Sequence, residues 1–110
     1  MIDLTLLREL MGHDQERVDT FLQIFASEMP RLSASLSAAL AARDLEQMST
    51  IAHAIKSQTK YLRAEAIAAL AGDIEQQAEI GIYSVALDAQ TERLVAMLSA
   101  LLEDPVFRGS

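Results

Sequence analysis

His53, Lys56, Ser57 and Lys60 are the residues of this chain whose types and spacing could do chemistry together. On a helix that advances about 100° per residue, Ile51, Ile55 and Leu62 cluster within about 20° of the side opposite His53. Lys56, Ser57 and Lys60 instead flank it, at roughly 60°, 40° and 20°. The imidazole is therefore predicted to face water, framed by two cations and one small residue. An exposed imidazole in that setting is a nucleophile that a second protein can reach.

Placing such a histidine requires a helix, and the chain is rich in helix signals. Of its 110 residues about half are apolar, led by Ala and Leu, with only four Gly and two Pro and no Trp. That composition favours helix throughout and suits one domain with one core. A first short helix is predicted from Leu4, Leu6, Leu7, Leu10 and Met11, with Asp3 as N-cap and Gly12 as stop. A second begins near Asp14 and carries Val18, Phe21, Leu22, Phe25, Met29, Leu32, Leu36 and Leu40 at spacings of three and four. Pro30 predicts a kink or brief break near Ser27 to Pro30, and the stripe resumes in phase, which favours a kink.

After the polar break Arg43-Asp44, a third helix is expected from about Leu45 to Leu62. Its apolar side is Met48, Ile51, Ala52, Ile55 and Leu62, with Gln58 and Thr59 near the margins. A fourth, roughly Ala64 to Glu79, buries Ile67, Leu70, Ala71, Ile74 and Ala78 and stops at Gly81. The last, about Val85 to Glu103, uses Leu87, Leu94, Val95, Leu98, Leu101 and Leu102 before Pro105. Four amphipathic helices on short connections predict an all-α, antiparallel up-down-up-down four-helix bundle, with the short N-terminal helix covering one end. The domain is expected over residues 1–107, and Arg108-Gly109-Ser110 reads as a vector-derived tail.

Several function classes are disfavoured. A formal net charge of −7 and the lack of a basic stripe argue against nucleic-acid binding. Without Cys there is no disulfide or thiolate chemistry, and two His cannot complete a structural zinc site, so no metal is expected. No long apolar run or signal peptide is evident, so the expectation is a cytoplasmic protein away from the membrane. No phosphate-binding loop or ATP-binding pattern is present, so an enzyme with its own catalytic apparatus is not expected. Asp73 and Glu75 read as solvated helix charges, and His13 as a structural turn residue.

The order His53-Ala54-Ile55-Lys56-Ser57, preceded by Ile51-Ala52 and followed by Leu62 and Ala64, resembles the phosphoacceptor helix of the histidine-containing phosphotransfer (HPt) domains of bacterial phosphorelays. Ile2-Asp3-Leu4 through Gly12, Phe21-Leu22 with Phe25, Met29-Pro30, Arg43-Asp44-Leu45 and Ile74-Glu75 also fall where members carry similar residues. The departures are Ser57 for the usual Gly, Gln58 for Ser, Tyr61 for Asn and Arg63 for Gly. The Gly at position 57 keeps space open beside the imidazole in the family, so Ser57 implies narrowed partner choice rather than lost activity.

The resemblance implies a phosphoryl carrier. His53 would accept a phosphoryl group from a receiver-domain aspartate of a hybrid sensor kinase and pass it to a response-regulator receiver. The domain would be a monomer without a cofactor of its own, and Mg²⁺ would sit in the partner receiver. Lys56 and Lys60 would offset charge and steer the acidic receiver, with Ser57 at the contact. A residue of the fourth helix, or Ser57, is the better candidate to orient the imidazole, because Gln58 lies about 140° from it. The rival reading is an HPt-like adaptor or inhibitor that binds receivers or kinases without being phosphorylated. Met1 and the covering helix lean toward a stand-alone protein.

Overall fold

Asp14 opens the longest helix as its sequence position predicts. Its carboxylate accepts the amides of Glu16 at 3.0 Å and Arg17 at 3.4 Å, donors that a helix start otherwise leaves unpaired. The computed structural model describes residues 2–108, with helices α1 (Thr5–Leu10), α2 (Gln15–Ala41), α3 (Leu45–Tyr61), α4 (Glu65–Ile80) and α5 (Val85–Leu101) in order. A 3₁₀ turn, Pro105–Phe107, follows. The turns Ala42–Asp44, Leu62–Ala64 and Gly81–Ser84 are too short for crossovers, so consecutive long helices run antiparallel. In the resulting ring α2 packs beside α3 and α5, and α4 closes it between them. This is the all-α bundle the apolar stripes require, and no strand occurs among the described residues.

The stripes supply the core. Phe25, Met29 and Leu36 of α2 meet Met48 and Ile55 of α3, Ile74 of α4 and Leu94 of α5, all fully buried. Burying a side chain of this size contributes about 1.5–3 kcal/mol, which is what holds helices this short in register. Pro30 neither ends nor divides α2, which runs on to Ala41. Its ring lies on the exposed side, where the carbonyl one turn earlier can turn to water for the missing donor.

Some expectations shift. Asp3 is not the N-cap residue itself, since Leu4 holds that position, but its carboxylate accepts the Thr5 amide at 2.9 Å. The Asp3 amide in turn donates to the Leu62 carbonyl at 2.9 Å, which ties the covering segment to the α3–α4 turn. Thr59 is fully buried rather than marginal. It can be so because its hydroxyl donates to the Ile55 carbonyl at 2.8 Å and approaches that of Lys56 at 3.2 Å. Leu70 is only half-buried. The 3₁₀ turn was not foreseen, and it returns Phe107 onto Phe25 in a parallel stack at 5.6 Å. Of the proposed tail, Arg108 caps this turn, and Gly109 and Ser110 lie outside the described residues.

The helix-to-helix turns use left-handed residues. Gly81 ends α4 at φ 81°, but Arg43 and Arg63 adopt φ 57° with side chains that disfavour it. Arg43 is compensated: its guanidinium lies 3.7 Å from the Tyr83 ring centre and donates to the Leu40 carbonyl at 2.7 Å. Tyr83 in turn donates to Asp88, so this clasp joins the α2–α3 and α4–α5 turns. No helix among the described residues is long and apolar enough to cross a membrane.

Candidate functional site

Because Ile51, Ala52 and Ile55 are drawn into the core, α3 must turn His53 outward, and 60% of its side chain is exposed. The neighbouring helix decides how the ring stands. Nδ1 of His53 lies 2.8 Å from Oε2 of Glu75 on α4, while Oε1 of the same carboxylate accepts from Nζ of Lys56 at 2.6 Å. An ionised carboxylate can only accept, so Nδ1 carries a proton. In the neutral ring the lone pair is then on Nε2.

Glu75 is held as an anion. Its side chain is only 14% exposed, and the Lys56 ammonium bonded to it, more than any other group, keeps the carboxyl below its usual range; desolvation opposes this and the bond to His53 adds to it. Lys56 reaches the carboxylate by laying its stem across α4 at Gly72. A methyl group built on Gly72 would stand 3.3 Å from Cδ of Lys56. A glycine inside a helix costs about 0.5–1 kcal/mol relative to alanine, and here the missing side chain makes room for the lysine.

The structure thus brings His53 and Lys56 together through a residue outside the expected set. Glu75, read from the sequence as a solvated charge, is a largely buried partner of both, and a helix-four residue does meet the imidazole. Its signal was its place on the helix: about 70° from the centre of the stripe formed by Ile67, Ala71, Ile74 and Ala78, it lies on the margin rather than the far side. Asp73, by contrast, is exposed as expected. Lys60 is exposed and has no ion-pair partner among the described residues, and with Arg63, Lys56 and Gly72 it lines an open cleft between α3 and α4. Ser57 is half-buried, and neither it nor Gln58 bonds to the ring. On the α2 side, Phe21 meets the edge of Tyr61 with centroids 5.8 Å apart. His13 sits in the exposed α1–α2 turn at φ 59°, which is a backbone role. Among the described residues no group of three or more His, Asp or Glu could hold a metal ion.

An exposed histidine, oriented on a bundle helix by a carboxylate from the next helix, suits phosphoryl transfer between proteins, and a family model bears on that directly. The model of the Hpt domain matches residues 20–104, from the first half of α2 to the end of the bundle. The chain belongs to the Hpt domain family. A solved Hpt structure, histidine-containing phosphotransfer protein B (HptB) from Pseudomonas aeruginosa PAO1, superposes with a TM-score of 0.76 at 25% sequence identity, covering 99% of this chain and 96% of that one. Among curated proteins no significant match was found. As an Hpt domain the chain has the helical bundle of phosphorelay carriers, proteins that exchange phosphoryl groups with receiver domains.

Proposed function

We propose that His53 is the phosphoacceptor of this Hpt domain and that the transfer occurs at Nε2. The observation that carries the proposal is the bond from Nδ1 to Glu75, which leaves Nε2 with the lone pair on a ring that faces water. The Nε2 lone pair attacks the phosphorus of an aspartyl phosphate in a receiver of a hybrid sensor kinase. The N–P bond forms as the P–O bond to the aspartate breaks, and the carboxylate leaves with the electron pair. The ring gains positive charge and keeps its Nδ1 proton, which Glu75 holds. The reverse sequence delivers the group to the aspartate of a response-regulator receiver.

The receiver and its Mg²⁺ meet the charge on the phosphoryl group, so this chain supplies the nucleophile and its alignment, as a monomer. The exposed Lys60 gives a positive point beside His53 on a chain of net charge −7, suited to the acidic mouth of a receiver. Ser57 lies at the edge of that contact. Incubation with ³²P-labelled receivers of the host tests the proposal. Wild type should acquire acid-labile label and His53→Ala none. Equal labelling of the two, or binding of receivers without label on either, refutes the carrier role; the second result would make the domain an adaptor.

A further inference from the structure

We infer that the groove between the start of α4 and the end of α5 docks a basic amphipathic helix of a second protein, on a face separate from His53. α4 packs more extensively on α3 than on α5, and the α4–α5 seam opens where the chain enters α4 and leaves α5. The opening measures about 690 Å³. Buried Ile67 and Leu101 floor it, with half-buried Met97 and exposed Ala66 and Ala100 along its walls. None of the described residues that line it belongs to α2 or α3, so a partner seated there leaves Nε2 of His53 open. One protein can then hold the domain while receivers come and go.

The shape suits a helix. Ala66 and Leu70 on α4 are four residues apart, and Met97 and Ala100 on α5 are three apart, so each helix lays an apolar ridge along the seam. The alanines keep the ridges low, and a third helix can approach to the roughly 8–10 Å of ordinary helix packing. Met97 is unbranched and can adjust to the apolar side chain it meets. Charge then selects the occupant. Among the described residues that line the groove, the carboxylates of Glu65, Glu103 and Asp104 stand against one guanidinium, that of Arg63. Glu65 and Glu103 are exposed and make no ion pair among the described residues, and Asp104 is fixed on the rim by accepting the Val106 amide at 2.9 Å. Lysines or arginines flanking the apolar stripe of a partner helix meet these carboxylates, whereas an acidic helix is repelled. A second copy of this chain, at net charge −7, is disfavoured on the same ground. Arg63, held at φ 57°, is the group on the rim that opposes a basic partner.

Amide NMR of the ¹⁵N-labelled protein tests this with two synthetic peptides. One carries leucines at spacings of three and four with lysines between them, and the other replaces each lysine by glutamate. The lysine peptide should shift the amides of Ala66, Met97, Ala100 and Glu103, leave those around His53 unmoved, and bind more weakly as salt rises. Glu65→Lys combined with Glu103→Lys should weaken it about tenfold, and Arg63→Gly should tighten it about threefold. These positions are exposed, and the amide spectrum of each variant shows that the fold is kept. His53→Ala should bind as wild type does, so the result stands apart from the phosphoacceptor reading. Shifts centred on Phe21, Tyr61 and His53, or equal binding of the two peptides, overturn the inference. Groove shifts that follow protein concentration without any peptide also overturn it, because the occupant is then a second copy of the chain.

Discussion

Gly72 offers a quantitative test of how the site is packed. Replacing it with alanine removes the backbone freedom of a mid-helix glycine, which alone stabilises by about 1 kcal/mol. The new methyl group meets Cδ of Lys56 at 3.3 Å, so the stem must shift by a few tenths of an ångström while its ammonium is held on Glu75. Moving a side chain that far off its rotamer costs about 0.5–1 kcal/mol. In the wild-type background Gly72→Ala should therefore gain at most about 0.5 kcal/mol. In a Lys56→Ala background the stem is absent, and the same substitution should recover the full gain of about 1 kcal/mol. Urea unfolding of the four proteins, with the m-value unchanged, yields a coupling of about 0.5–1 kcal/mol. Gains that agree within about 0.3 kcal/mol in the two backgrounds would show that Gly72 and Lys56 are independent, and the packing argument would fail.

The Glu75 carboxyl is held below its ordinary value of 4.5, first by Lys56, so its contribution to stability is complete above that value and is lost as pH falls through the lower folded one. The stability advantage of wild type over Glu75→Gln should shrink from about pH 5 downward in stepped-pH urea titrations, and an advantage that grows on acidification would contradict this sign. Arg63→Gly relieves a left-handed backbone that makes no compensating side-chain bond among the described residues, and should raise stability by about 0.5–1 kcal/mol. Arg43→Gly gains the same relief but loses the Tyr83 and Leu40 contacts, so thermal unfolding should show a net loss of about 1 kcal/mol. Phe107→Ala should cost about 1–2 kcal/mol, because half-buried Phe107 covers Phe25; an unchanged melting temperature would mean that the 3₁₀ turn is not part of the folded unit.

The bundle was legible because its determinants are local and periodic. Spacings of three and four place Val18, Phe25 and Leu36 on one stripe, Asp14 is a side-chain cap by type, Arg43-Asp44 is a polar break, and Gly81 is a stop by type. His53 was legible for the same reason, since the wheel that buries Ile51 and Ile55 must expose it. Glu75 was not, because a margin position becomes solvated or buried according to what lies on the adjacent helix. Its partner Lys56 is 19 residues away in sequence. Lys56 was misplaced with it: a lysine on an outward face looks free until Gly72 shows where its stem lies. Phe107 escaped notice because the helical period stops at Leu102, and nothing local records that the chain turns back onto Phe25.

His53, Lys56, Gly72 and Glu75 all belong to α3 and α4, neighbours in sequence joined by the turn Leu62–Ala64. Contacts this near in sequence lose little chain entropy on forming, whereas α2 and α5 meet only after the whole intervening chain has been brought round. Order of assembly thus separates the reactive hairpin from the closure of the ring. Release of the Phe107 end would uncover Phe25 on α2 without touching the bond between Glu75 and His53. Amide exchange should accordingly be faster in the Pro105–Phe107 turn and the last turn of α5 than at Ile55 or Ile74.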